Sequence, residues 1–427
     1  MILFSLRYGQ GMVEFSLPEN RVIRPRANLE PPPVAVSPEQ LERTITQSAL
    51  SRIENGSVKT VCLICDDYTR PTPAYEILPP LRRALAARGV RRGVKMLVAA
   101  GDHRPMSRAE QVAKFGPAAV DELEIVHHDC RNDAQLVCLG DTTGGVPVWV
   151  NRLALDADFR IGIGVVEIHP WAGFSGGCKI LMPGIAGKRT IDATHALSID
   201  PRSDLGRTDD NPFWLASREV AEMANLDLVV NVVLRSSDEA VIGAFCDTPV
   251  EAQRAAIAHF RASNELVFDR PADIVITSAS PKYHYWPQAA ISAYAAARVV
   301  RDGGVRIVLA DCPEGLGDCE EEREFYREAL DTRWESLDAF WRTRRGKADC
   351  CSRTACAVYR HLELQRKSRC IMVSRGLPKD GLRNQEVVRT LDEALDRAHR
   401  AVGEDAAVAV IREGGMVLPS LGKTDEG

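Results

Sequence analysis

Residues 58–88 read VKTVCLICDDYTRPTPAYEILPPLRRALAAR, and the order of residue types inside this stretch decides the fold. The run 58–65 is apolar and of strand length. It breaks into Asp66-Asp67-Tyr68-Thr69-Arg70, after which Pro71 and Pro73 stiffen the exit. A helical pattern then covers 74–88. The same unit recurs, with strands predicted over 93–100, 122–127 and 159–166 and a further helix over 108–115. Strands separated by helices predict a parallel sheet covered on both faces. Cys62 and Cys65 fall inside the first strand, where the pleat sends them to opposite faces. They read as buried core thiols, not as a redox or metal pair.

A helix predicted over 251–266 is followed by a restart of the pattern near 265–272. Strands are expected over 272–278, 305–310, 369–373 and 407–411, with helices over 289–300 and 391–400. The fold class is therefore α/β with two domains, each a largely parallel sheet flanked by helices. Residues 1–268 would carry the site motifs and residues 269–427 the substrate contacts, with the active site in the cleft between them. The alternating start, MILFSLRYGQGMVEFSL, predicts an edge strand. The charged stretch 320–347 predicts one or two exposed helices, and 423–427 a disordered tail. Cys350, Cys351 and Cys356 cluster without a second Cys or His group at zinc spacing.

Composition excludes several classes. The chain has 427 residues, 45% of them hydrophobic and 26% charged, which rules out collagen-like, disordered and coiled-coil classes. Acidic residues outnumber basic ones 59 to 54, so no net cationic field points to nucleic acid or an anionic membrane. No apolar run reaches the roughly 18 residues of a membrane span, and the N-terminus lacks a signal-peptide pattern. A cytoplasmic protein with no nucleic-acid or membrane partner is expected.

In open parallel sheets, ligands sit beyond the carboxyl ends of the strands, so chemistry is sought there. The first loop offers two carboxylates, a hydroxyl and Arg70, which reads either as an anion grip or as a turn held by an Asp–Arg pair. The second loop is Gly101-Asp102-His103-Arg104-Pro105. The third runs Glu167-Ile168-His169-Pro170-Trp171-Ala172-Gly173-Phe174-Ser175-Gly176-Gly177-Cys178-Lys179, with His195 downstream. Gly173, Gly176 and Gly177 would allow close backbone approach to a large ligand, and Lys179 would hold phosphate or form a covalent bond. His103, His169 and His195, at one sheet edge, could supply metal-binding and acid/base groups. No Walker loop, no Gly-x-Gly-x-x-Gly and no His-Glu-x-x-His is present.

Taken in order, Asp-Asp-x-Thr-Arg-Pro-x-Pro, Gly-x-His-Arg, His-x3-Gly-Phe-Ser-Gly-Gly-x-Lys and the downstream His resemble the nickel-dependent lactate racemase family. The resemblance implies an isomerase that inverts C2 of a 2-hydroxy acid by reversible hydride transfer. Its cofactor would be a nickel-pincer nucleotide, a pyridinium mononucleotide holding nickel through two sulfurs and a ring carbon, joined to the protein at Lys179. His195 would complete the nickel coordination. His103 and His169 would act as alternating bases on the substrate hydroxyl. Asp67, Tyr68, Thr69 and Arg70 would help hold the cofactor, with Arg70 facing the substrate carboxylate. The partners implied are the small 2-hydroxy acid and, upstream, the enzymes that synthesise the cofactor.

The second domain departs from the pattern. Gln288 matches the family's substrate-contacting Gln, but the accompanying Lys position is Ile291. Lys282 or His284 could compensate. An altered substrate, such as a longer polyhydroxy or dicarboxylic 2-hydroxy acid, is the alternative. A non-catalytic carrier or sensor of the cofactor is a further one, although it would not need both His103 and His169.

Overall fold

An uninterrupted apolar run suits a strand with neighbours on both sides and layers above and below. Val61–Asp66 is such a strand, buried from Val61 to Cys65, in the computed structural model of the protein. The structure describes residues 1–26, 33–48, 50, 53, 57–344 and 352–422. The chain divides into two compact units, Pro31–Ser263 and a discontinuous unit of Met1–Glu30 with Asn264–Gly427.

In the unit Pro31–Ser263, six strands form one sheet in the order Val241–Asp247, Leu228–Leu234, Phe159–Val165, Val61–Asp66, Val94–Ala99, Glu124–His127. All neighbours run parallel except Val241–Asp247, which pairs antiparallel with Leu228–Leu234. From Val61–Asp66 the chain moves outward to Val94–Ala99 and Glu124–His127, then returns to place Phe159–Val165 on the opposite flank. This reversal of strand order is a topological switch point, where the loops leaving neighbouring strands diverge and open a crevice. The strands Leu228–Leu234 and Val241–Asp247 go beyond the sequence expectation.

Helix Ala74–Ala87 holds its geometry through Pro79 and Pro80. An interior proline costs about 3 kcal/mol. Burial of Ile77, Leu78, Leu81 and Leu85 offsets this at roughly 1.5–3 kcal/mol each. Helix Arg108–Phe115 starts at a Ser107–Glu110 capping box and stops at Gly116, whose φ is 82°. Both helices begin right after candidate loops, so their starts fix where those loops end.

The other unit carries an all-parallel sheet, Glu386–Val388, Arg369–Val373, Val300–Leu309, Ala272–Ser278, Val408–Ile411, Val22–Ile23. Its last strand corrects the linear division at 268. The first thirty residues belong here, because Val22 and Ile23 pair with Val408 and Ala409. The predicted edge strand is a hairpin, Ile2–Tyr8 with Gly11–Leu17. Its Leu6 and Leu17 pack into the core built by Ile274, Ile276, Val305 and Ile307. The charged stretch forms helices Glu320–Asp331 and Leu337–Arg344.

Cys62 and Cys65 are buried free thiols, as is Cys356. Cys350, Cys351 and the tail 423–427 lie outside the described residues. Among the described residues, no helix is long and apolar enough to cross a membrane.

Candidate active site

Two adjacent carboxylates open the site, and they face different partners. Asp66 accepts the Thr72 hydroxyl and meets Lys114 Nζ, both at 2.6 Å. Lys114 also donates to the Arg70 carbonyl at 2.6 Å, so Asp66 and Lys114 fasten the loop from within. Asp67 engages Thr69 and His103 instead. Its Oδ1 accepts the Thr69 backbone N–H at 3.0 Å and the Thr69 hydroxyl at 2.6 Å. Its Oδ2 lies 2.8 Å from His103 Nδ1. Burial alone would raise the Asp67 carboxyl, but His103, Thr69 and Arg70 hold it down at about 2. An ionised carboxylate there takes the Nδ1 proton of His103 and leaves the ring's lone pair on Nε2. That is the arrangement of a general base.

Arg70 follows in the same loop, its Nε 3.6 Å from Oε1 of the buried Glu167. Its backbone is pinned by Lys114, while its guanidinium keeps part of its surface exposed. Tyr68 lies under Arg104, whose guanidinium carbon is 4.0 Å from the ring centroid. Arg104 is itself forked onto Glu110 at 3.0 and 2.7 Å.

The third loop turns back on itself through the short pair Ile168–His169 and Gly173–Phe174. His169 Nδ1 accepts the backbone N–H groups of Trp171 and Ala172 at 3.3 and 3.1 Å. Its Nε2 lies 3.3 Å from Lys179 Nζ. Burial, and next the Arg70 guanidinium, push the Lys179 ammonium down to about 7, with Glu167 acting in the opposite sense. His195 ends helix Lys188–His195, and its Nδ1 donates to the Ile191 carbonyl at 2.7 Å. This leaves the ring's lone pair on Nε2, the form in which an imidazole can bind a metal. His169 and His195 share two aromatic neighbours. Trp171 meets them at centroid distances of 5.7 and 5.4 Å, and Phe213 at 6.0 and 5.2 Å.

The fold thus joins Asp67, Arg70, His103, His169, Lys179 and His195 into one connected set. The glycines turn out differently. A Cβ on Gly173, at φ +77°, would stand 1.9 Å from the Arg207 carbonyl oxygen. One on Gly177, at φ +53°, would meet Gln253 at 2.5 Å, and one on Gly176 would meet Val166 at 2.6 Å. Their freedom serves the loop's packing against its own protein. Glu167, Lys114, Trp171 and Phe213 are the residues that sequence reasoning left without a role. Glu167 carried a weak signal, as a carboxylate at the end of an apolar strand. Lys114 and Phe213 carried none.

In the other unit, Gln288 stands in the first turn of helix Trp286–Ala297, buried, with its amide donating to the Tyr285 hydroxyl at 3.3 Å. Ile291 is buried on the same helix. Lys282 donates to the Gly415 carbonyl at 2.9 Å, and His284 Nδ1 lies 3.9 Å from Glu314.

Comparison with known proteins gives consistent matches. Residues 8–206 match the model of the lactate racemase N-terminal domain, and residues 267–418 that of the lactate racemase C-terminal domain. A lactate racemase of Thermoanaerobacterium thermosaccharolyticum is 32% identical over 329 residues, 74% of this chain and 76% of the relative. One of Lactiplantibacillus plantarum is 30% identical over 390 residues, 88% of each chain. The lactate racemase apoprotein structure from T. thermosaccharolyticum superposes with a TM-score of 0.86 at 27% identity, covering 98% of this chain and 100% of that one.

Proposed function

The chain belongs to the lactate racemase family, and from that premise we propose that it inverts C2 of a 2-hydroxy acid, lactate first among them, using a nickel-pincer nucleotide joined to Lys179. The observation that carries this reading is one convergence. The buried amine of Lys179, His169, and the His195 imidazole with its Nδ1 engaged meet around Trp171 and Phe213. The residues fit such a group. Lys179 offers a covalent anchor, His195 Nε2 a nickel ligand, and Trp171 Nε1 is a buried donor without a partner among the described residues.

When bound, the nucleotide would supply reversible hydride-acceptor chemistry at C2. The protein's own groups do the rest. Arg70 binds the substrate carboxylate, and Asp67, Tyr68 and Thr69 complete the holding loop with it. His103, oriented by Asp67, accepts the hydroxyl proton at Nε2. His169 stands in the complementary form, its Nδ1 accepting backbone N–H groups and its proton on Nε2, as the second member of a two-base pair must. The roles exchange in the reverse direction. Trp171 and Phe213 keep water from the reacting carbon.

Ile291 in place of the family's Lys, together with Lys282 engaged on Gly415, favours one second reading, C2 epimerisation of a longer 2-hydroxy acid. Cofactor-loaded protein is offered a panel of single-enantiomer 2-hydroxy acids, and the products are resolved by chiral chromatography. Inversion of lactate is expected. Inversion of a longer acid alone selects the second reading, and inversion of none rejects both.

A further inference from the structure

One contact in the third loop fixes a proton inventory. His169 Nδ1 accepts backbone N–H groups from Trp171 and Ala172, so the single proton of the neutral ring sits on Nε2. That Nε2 lies 3.3 Å from Lys179 Nζ. An ammonium has three donors and no lone pair, and two donors cannot share one hydrogen bond. The contact is therefore a hydrogen bond only when Nζ is an uncharged amine that accepts.

The surroundings agree with that assignment. Lys179 is only 9% exposed, and burial penalises its charged form. The charged groups acting on it are Arg70, which opposes an ammonium, and Glu167, which favours one but already neighbours Arg70 at 3.6 Å. The Phe213 ring, 5.4 Å from Nζ, also favours a cation, by about 0.5–1 kcal/mol. Burial and the guanidinium together outweigh these two.

We infer that His169 holds Lys179 as a free amine by donating its Nε2 proton to Nζ, which makes His169 a positioning residue for the lysine in addition to its proposed work on the substrate. The inference rests on the reading that Lys179 is the point of covalent attachment, because only the free amine is a nucleophile toward an acyl carbon. It assigns the preparation of that amine to one imidazole. His169 would then act before the cofactor arrives, and again on substrate once Lys179 is consumed in its bond.

The test uses the full chain without cofactor, labelled with 13C at the lysine side chains. The chain has ten lysines, and Lys179→Arg identifies the resonance. Titration should give Lys179 a midpoint near 7, against about 10.4 for an ordinary lysine. His169→Phe removes the donor and should move the midpoint up by about one pH unit, the worth of one hydrogen bond. His169→Gln, whose amide can donate, should keep it low. A midpoint near 10 in the parent protein overturns the inference, and so does a low midpoint that His169→Phe leaves in place. If His169→Phe fails to fold, 15N shifts of His169 in the parent protein decide. A proton on Nε2 supports the inference, and a proton on Nδ1 ends it. None of these readings depends on turnover, so failure here leaves the racemase reading standing, and absent racemisation leaves the lysine titration standing.

Discussion

The His103 imidazole meets the buried carboxylate of Asp67 at 2.8 Å, Nδ1 to Oδ2, across 36 residues of sequence. The bond joins the loops after two adjacent parallel strands, and it leaves the lone pair of the imidazole on Nε2. Replacing Asp67 with Asn removes the charge that holds this tautomer. Turnover of the loaded enzyme should fall on the order of 10²–10⁴-fold with little change in KM. Steady-state kinetics on both lactate enantiomers checks this. A change below about threefold would detach Asp67 from the mechanism.

The same pair sets an acid limit on stability. The Asp67 carboxyl is held at about 2, below its ordinary 3.8. A depressed carboxyl contributes stability that is full above the unfolded value and is lost as pH falls through the folded one. The stability gap between parent and Asp67→Asn should therefore be largest above about pH 4 and close toward pH 2. Urea denaturation at pH 5 and pH 2.5 measures the gap. A constant gap would contradict the assignment.

Arg70 has two readouts. Arg70→Lys keeps the charge but loses the planar fork, so KM should rise about tenfold or more while circular dichroism is unchanged. Arg70→Ala removes a cation that pushes the Lys179 ammonium down, so the Lys179 midpoint should rise. An unmoved midpoint would show that burial alone sets it.

His195 should matter for metal and not for fold. His195→Ala removes one imidazole and frees the Ile191 carbonyl at a helix end. Nickel retained by the loaded protein after gel filtration, measured by elemental analysis, should drop at least tenfold, with the thermal midpoint within a few degrees of the parent. Full nickel retention would remove His195 from the coordination.

Gly173→Ala separates packing from ligand binding. The substitution forces a side chain at φ +77° into the Arg207 carbonyl. A left-handed residue costs about 1–3 kcal/mol before any clash is added. The urea midpoint should fall even in protein free of cofactor. An unchanged midpoint with weakened cofactor loading would restore Gly173 as a ligand contact.

Much of the site was legible because the strands advertise themselves. The apolar run ending at Cys65 stops where Asp66 begins, and the loops that bear His103 and His169 follow strands of the same kind. What the sequence concealed are partners brought in by tertiary structure. Lys114 reaches the Arg70 carbonyl across 44 residues, and nothing in its amphipathic helix marks it as buried. Phe213 meets His169 from a helix that starts after a separate turn. The packing role of the glycines was hidden because a left-handed backbone looks the same in sequence whether it makes room for a ligand or for Arg207. The first thirty residues were misplaced for a related reason. Pairing Val22 with Val408 is a contact between distant segments, which alternation alone cannot specify.

The central claim is inversion at C2 by hydride transfer, and the measurement that meets it most directly is racemisation of one lactate enantiomer in heavy water. Cofactor-loaded protein is incubated with pure L-lactate, and the product is analysed by chiral chromatography and mass spectrometry. The account predicts equal enantiomers with no deuterium at C2, because the hydrogen that leaves the carbon returns to it as hydride. Deuterium incorporated at C2 on inversion, or L-lactate recovered unchanged, would contradict it.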